Sequence, residues 1–149
     1  LSLVGSEMCI RDRSGVITEA EEIEKLCSGS SLYIVCTGDA FRTLPQGRYR
    51  SRRIGEFSAP GIAGECLYDI FDSDPYALIK LKEQFSAEFA KAVSLFESGD
   101  FTAARTRFMD IVKYAPDDGA ARNYLYLAEH NINSGRRRLT YRIYDGSEA

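Results

Sequence analysis

Long apolar runs, histidine and closely spaced cysteines are scarce or missing in this sequence. No stretch reaches the roughly 18 apolar residues of a membrane-spanning helix, and the first residues lack the apolar core of a secretory signal. Cys9, Cys27, Cys36 and Cys66 form no CxxC pair and have only His130 to join them, which argues against a zinc site. We therefore predict no membrane span, no bound metal, and reduced thiols typical of the cytoplasm.

An excess of one charge sign is also missing. The 19 Lys and Arg and the 22 Asp and Glu leave a net charge of −3, which argues against the strongly basic surface of a nucleic-acid binder. Hydrophobic residues make up 44% and charged residues 28%, close to the averages of globular proteins. The 149 residues predict one domain or two small ones, with no nucleic-acid partner.

The beginning of the chain is unlike the rest. It opens with Leu1 rather than Met, which predicts a fragment of a longer protein. Residues 1–13 read LSLVGSEMCIRDR and resemble the translated sequencing-adapter sequence that contaminates some protein sets. We leave this segment out of the fold prediction as an artefact or a disordered end.

The spacing of apolar residues changes twice within residues 14–74. Four apolar residues recur at helical spacing among glutamates, namely Ile17, Ala20, Ile23 and Leu26. This pattern predicts an amphipathic helix with an acidic outer face. The run of β-branched and aromatic residues that follows predicts a buried strand, and turn residues then divide a short helix from a last strand. These three predicted elements cover residues 32–36, 40–44 and 65–71.

Arginines alternate with other residues before the last strand. Arg48, Arg50 and Arg52 recur at period two, which places three guanidinium groups on one face of a predicted strand. Such a face is compatible with phosphate or nucleic-acid binding, and also with a solvated face that keeps a strand edge from aggregating. We favour the solvated face, because no interleaved aromatic residues suited to base stacking accompany the arginines.

Helix-forming residues dominate after Asp74-Pro75, and we predict a domain boundary there, between residues 14–74 and 75–134. Apolar residues from Ala77 to Phe96 recur every three to four positions and predict one helix of about six turns. Two further helices are predicted on either side of Pro116. The tail, residues 135–149, is predicted to be either loosely ordered or a short strand over 139–144.

Part of the helical half resembles a tetratricopeptide repeat. The resemblance covers residues 85–118 and implies a helical hairpin plus a capping helix, in which small residues allow close helix approach. The residues that carry it or pack the hairpin are Phe85, Phe89, Ala92, Gly99, Phe101, Ala104, Phe108 and Pro116. We interpret the four phenylalanines as core side chains, and alternatively as a surface that binds a peptide or protein.

Residues 14–74, which precede the helical half, carry a second resemblance in a series of short segments. These segments are 23–26, 33–37, 40–44, 53–57, Gly61 and 67–71. Their order resembles the end of a class III adenylate/guanylate cyclase catalytic domain, where a helix, a short strand, a small helix and a last β-pair follow one another. Bacterial signalling proteins often follow such an end with a tetratricopeptide unit. The resemblance implies an α+β fold: a truncated cyclase-like sandwich with short antiparallel strands, then the helical hairpin.

The cyclase resemblance also implies a function and partners. It identifies the chain as the C-terminal part of a protein that makes a cyclic nucleotide for intracellular signalling. The family's two metal-binding Asp residues and its base-recognition Lys precede this region. The resemblance therefore implies an upstream half, with or without a membrane anchor, that holds two divalent ions, Mg or Mn. Family members dimerise with paired sites at the interface, so a second copy is an implied partner.

Two positions bear on catalysis by this chain. The family uses an Asn and an Arg to hold the ribose and to stabilise charge on the reacting phosphate. Aligned on residues 23–26, these positions hold Thr18 and Glu22. A glutamate places negative charge where the developing phosphate charge needs a cation. The resemblance therefore predicts an inactive chain with no catalytic residue and no cofactor of its own.

A free-standing enzyme is a third hypothesis. Cys27, Cys66 and His130 are its candidate nucleophiles and bases. No paired carboxylates and no Ser/His/Asp arrangement gather around His130 in the sequence, and a histidine near the end of a predicted helix more simply complements the helix terminus. We favour the cyclase-like interpretation, with a tetratricopeptide-type interaction module as the alternative.

Overall fold

The computed structural model describes residues 21, 23–25, 27, 32–59, 62–144 and 146, and within them the chain is mixed α and β. The strands are β1 (Val35–Thr37), β2 (Ser51–Ala59) and β3 (Ile62–Ile70). The helices are α1 (Gly38–Thr43), α2 (Tyr76–Gln84), α3 (Ser86–Glu97), α4 (Phe101–Tyr114) and α5 (Gly119–Ser134). Residues 21, 23–25 and 27 are also helical. The predicted α+β class is confirmed.

The three strands form an antiparallel sheet in the order β1-β3-β2. Tyr68 of β3 lies opposite Cys36 on one side and Arg53 on the other. The register between β2 and β3 shifts between Arg53 and Gly55, where φ of Gly55 is 145°. Such a bulge bends its strand, and a glycine adopts this backbone conformation without a steric penalty.

The short helix α1 follows the first strand as predicted, although its bounds differ slightly from residues 40–44. Thr37 precedes it, and the Thr37 Oγ1 accepts a hydrogen bond from the Ala40 amide at 3.4 Å. A threonine in this position satisfies an amide that has no partner within the helix. The first strand is β1, Val35–Thr37, rather than the predicted 32–36. Leu32 is buried but lies outside any strand.

The single six-turn helix predicted over residues 77–96 is wrong. The chain forms α2 and α3 instead, and Phe85 between them has φ −96° and ψ 14°. Each helix buries its own apolar face, Leu78 and Ile79 in α2 and residues such as Phe89 in α3. The apolar period runs straight through the bend, so periodicity alone does not reveal it.

Apolar residues on both sides of the predicted boundary share one hydrophobic core. Its members from the sheet include Val35, Ile54, Phe57 and Leu67, and those from the helices include Phe89, Ala92, Phe96, Ala104, Phe108 and Tyr124. The Tyr124 hydroxyl donates a hydrogen bond to the Ile54 carbonyl oxygen at 2.8 Å. The helices therefore pack on the sheet through α3 and α5, whereas the division into domains at residues 74–75 stays a prediction.

The tail packs against the rest of the chain. Tyr141 forms a parallel bridge with Phe57 of β2 and is fully buried. The loosely ordered alternative is therefore wrong for residues 138–144, and the short strand is reduced to this single bridge. Arg136, Arg137 and Arg138 are exposed. No helix in the described part of the chain has the length and apolar character to cross a bilayer.

Candidate functional site

Arg52 is buried, which contradicts the predicted solvated row of arginines. Its Nε lies 3.0 Å from Asp69 Oδ2, and its two terminal nitrogens donate to the Asp118 carboxylate at 2.8 and 2.7 Å. Strand β2 begins only at Ser51, so the alternation does not extend back over the other two arginines. Arg48 and Arg50 are exposed, as expected for a solvated face.

Lys82 joins the same group of charges. Its Nζ lies 2.9 Å from Asp69 Oδ2 and 2.5 Å from Asp74 Oδ2. We define the charge cluster as Arg52, Asp69, Asp74, Lys82 and Asp118, all of which are buried. Two cations thus face three carboxylates across β2, β3, α2 and the start of α5. The cluster therefore links the sheet to the helices through buried ion pairs.

The pKa values of Asp74 and Asp118 in the charge cluster are shifted in opposite directions. Burial alone raises the pKa of Asp118, but the charge and hydrogen bonds of Arg52 outweigh it and lower that pKa below its ordinary value of 3.8. Burial raises the pKa of Asp74, although Lys82 opposes the change. Asp118 therefore favours the ionised form, and its side chain also accepts a hydrogen bond from the Ala121 amide at 3.2 Å.

Replacing Asp118 with asparagine should lower the free energy of unfolding by about 2 kcal/mol at pH 7, because a charged partner of Arg52 is lost while the helix cap is retained. The pKa of folded Asp118 is lowered, so its stabilisation is complete above about pH 4 and is lost as the pH falls through the folded pKa. The difference between wild type and Asp118→Asn should shrink from pH 7 to pH 3 in urea unfolding. Asp39→Asn, at an exposed aspartate, is the control. A difference independent of pH would contradict the assignment.

A second, more exposed ion pair joins the sheet to α3. Both terminal nitrogens of Arg53 donate to the Glu97 carboxylate, at 2.8 and 2.9 Å. Glu97 Oε2 also accepts a hydrogen bond from the Glu56 amide at 3.0 Å. Arg53 Nε lies 3.1 Å from Cys66 Sγ. One carboxylate of α3 therefore binds both a side chain and the backbone of β2.

Most of the residues singled out for the helical repeat are in the core. Phe89, Ala92, Phe101, Ala104 and Phe108 are buried. The remaining three are not core residues of this kind. Phe85 is partly buried and stacks on Tyr114, and Pro116 is exposed. Gly99 has a φ of 89°, and the Arg137 guanidinium lies next to it. The burial of Phe89, Phe101 and Phe108 agrees with the interpretation of the phenylalanines as core side chains.

The candidate residues of a free-standing enzyme lie on three different elements. Cys27 is in the first helical segment, Cys66 is on β3 and His130 is near the end of α5. Burial raises the pKa of the Cys27 thiol to about 11, and that of Cys36 likewise to about 11. The described cysteines form no disulfide. A buried, protonated thiol is a poor nucleophile, so this arrangement does not favour cysteine chemistry.

Thiol alkylation tests this placement. At pH 8, Cys27 and Cys36 should react far more slowly with iodoacetamide than Cys66, because both are buried and their pKa is raised to about 11. Peptide mass spectrometry at timed intervals measures each site. Unfolding in urea should equalise the three rates. Fast modification of Cys27 in the folded chain would restore the nucleophile hypothesis.

A surface cleft of about 380 Å³ opens between α1 and the start of β2. Its lining includes the rings of Phe41 and Tyr68, which stack on each other with centroids 4.1 Å apart. Arg42 also lines it and forms an ion pair with Asp39. The cleft thus offers stacked rings and a paired arginine rather than a set of converging catalytic groups.

Thr18 and Glu22, the positions of the family's Asn and Arg, lie outside the described residues, as does the segment 1–13. Among the residues that are described, no group of three or more His, Cys, Asp and Glu side chains is placed to hold a metal ion. The chain matches no protein-family model, no curated protein and no solved structure.

Proposed function

We propose that the chain is the C-terminal part of a class III adenylate/guanylate cyclase-like signalling protein and supplies no catalytic residue itself. The observation that carries the proposal is the order of elements, in which β1 and α1 precede the antiparallel pair β2 and β3. Segments 53–57 and 67–71, on which the resemblance rests, are neighbours in this pair, with Gly55 opposite Leu67. This pairing supports the proposal, because the resemblance implies that these two segments form the last β-pair.

The charge cluster supports a structural role for this part of such a protein. Arg52 and Lys82 are fully engaged by buried carboxylates, which leaves them unsuited to hold a nucleotide phosphate. The two divalent ions of the family, Mg or Mn, would be bound by the upstream half. In this proposal the protein is cytoplasmic at this end, and a second copy is its partner in the paired site.

Recovery of the upstream reading frame tests the proposal. The expected result is a segment with two metal-binding Asp residues and a base-recognition Lys. The longer protein should convert ATP or GTP to a cyclic nucleotide with Mg or Mn, whereas the 149-residue chain alone should not. An unrelated upstream domain would overturn the cyclase assignment. Cyclase activity of the short chain would overturn the proposal that it supplies no catalytic residue.

The alternative, a tetratricopeptide-type module that binds a partner through its phenylalanines, has less support. Phe89, Phe101 and Phe108 are buried in the shared core. Expressed alone, residues 75–149 should lose cooperative unfolding, because β2 no longer covers α3 and Tyr124. Thermal unfolding followed by circular dichroism measures this. A stable, cooperative helical half would favour the alternative.

A further inference from the structure

The tail lies in a groove between the outer edge of β2 and α5. We call residues 138–144 the strap. On the β2 side, the Tyr141 amide donates to the Glu56 carbonyl oxygen at 2.6 Å. The hydroxyl oxygens of Thr140 and Ser58 lie 2.8 Å apart. The strap thus adds a short parallel bridge to the edge of the sheet.

Two buried asparagines of α5 bind the backbone of the strap. Asn123 donates from Nδ2 to the Arg142 carbonyl oxygen at 2.6 Å and accepts from the Tyr144 amide at 3.0 Å. Asn131 donates from Nδ2 to the Arg138 carbonyl oxygen at 2.9 Å. Because these bonds go to main-chain atoms, they hold an extended segment whatever its side chains are.

One side chain of the strap is an anchor. Tyr141 is 0% exposed, and its ring meets the Tyr124 ring at a centroid distance of 4.8 Å and an angle of 61°. The Tyr124 hydroxyl donates to the Ile54 carbonyl oxygen of β2, so a ring that is hydrogen-bonded to the sheet forms one wall of the pocket that holds Tyr141. The other apolar side chains of the strap are only partly buried, namely Leu139, Ile143 and Tyr144.

We propose that this groove is a receptor for an extended, tyrosine-anchored segment of another protein, and that the strap occupies it in cis. The strap itself shows which ligand fits: a backbone read by Asn123, Asn131 and β2, and one aromatic ring in a closed pocket. Main-chain bonds supply affinity and the pocket supplies specificity in this mode of recognition. The proposal does not rest on the cyclase assignment.

The connection to the strap permits exchange. α5 ends at Gly135, which has φ 71°, and residues 135–137 are exposed. A strap tethered this closely has an effective concentration in the millimolar range, so a ligand in trans must compete with it. Weakening the strap without altering the groove should therefore increase the affinity for an added peptide.

A peptide with the sequence of residues 136–144, labelled with a fluorophore, probes the groove of the full chain. The variant Tyr141→Ala should bind it about 100-fold more tightly than wild type, because the tethered competitor has lost its anchor. The same peptide with alanine at the anchor should bind this variant much more weakly, because it keeps the main-chain bonds but loses the ring contact with Tyr124. Adding Asn123→Ala to Tyr141→Ala should weaken binding, whereas Tyr76→Ala, at an exposed tyrosine, should behave as wild type. Equal binding of both peptides, or none by a folded Tyr141→Ala chain, would overturn the proposal.

Hydrogen exchange of the wild-type chain gives a test that needs no substitution. A displaceable strap opens without global unfolding, so the Tyr141 and Tyr144 amides should exchange faster than those of Leu127 and Ala128 in α5. Equal protection would overturn the proposal. A concentration-dependent dimer that forms by exchange of straps, detected by light scattering, would also overturn it in favour of a second copy as the occupant.

Discussion

Replacing Arg52 with leucine is expected to lower the free energy of unfolding by about 3–5 kcal/mol. The guanidinium bonds to both Asp69 and Asp118. Without it, two buried carboxylates lose the cation between them, in surroundings where water cannot replace it. The packing of Arg52 over the Phe89 ring, 4.0 Å from the centroid, is lost as well. Urea unfolding followed by circular dichroism measures the change.

Arg48→Leu is the matched control, since Arg48 belongs to the same alternating row but is exposed. Its expected effect is within about 0.5 kcal/mol. The predicted solvated row requires the two substitutions to behave alike, whereas the charge cluster requires them to differ. Similar small effects of both would show that Arg52 is not the buried link between β2 and α5.

Substitution of Gly55 by alanine is expected to cost about 3 kcal/mol or more. Its φ of 145° is rarely adopted by residues with a side chain. A Cβ at this position would overlap the Tyr124 hydroxyl, which donates to the neighbouring Ile54 carbonyl. The added methyl group therefore strains β2 and displaces the tyrosine that fixes α5 on the sheet. Thermal and urea unfolding of the variant measure the loss.

Gly47→Ala separates backbone strain from the steric overlap. Gly47 also has a positive φ, 74°, but no atom lies within 4 Å of its added Cβ, so the expected cost is about 1 kcal/mol. In a Tyr124→Phe background, Gly55→Ala should cost less than in wild type, because the overlapping oxygen is gone. If Gly55→Ala lowers the free energy of unfolding by the same amount in both backgrounds, its effect comes from backbone strain alone.

Local patterns predicted several elements correctly. The short helix α1 and the two helices on either side of Pro116 were predicted, and in the structure each begins after a side-chain cap, Thr37, Asp100 or Asp118. A cap acts within one helical turn, so its consequence is visible in the sequence. The last strand predicted over 65–71 overlaps β3, which begins earlier, at Ile62, and ends at Ile70.

Signals that depend on distant residues were missed. Arg52 is paired with Asp118 across 66 positions of sequence, and nothing in its alternation with Arg48 and Arg50 reveals that partner. Tyr141 was assigned to a tail that lacks periodicity, yet its contacts lie on β2 and α5. Asn123 and Asn131 had no local pattern to mark them, because their hydrogen-bond partners are main-chain atoms of the strap.

The amino-acid sequence by itself determined the α+β class, the turns and the amphipathic faces, since these follow from side-chain period and short-range hydrogen bonding. Tertiary structure decided which arginine of the row is buried, where the long apolar stripe bends and what the tail covers. Each of these outcomes depends on a charge, a space or a strand edge supplied by a distant part of the chain, and such pairings become defined only when the sheet and the helices pack together.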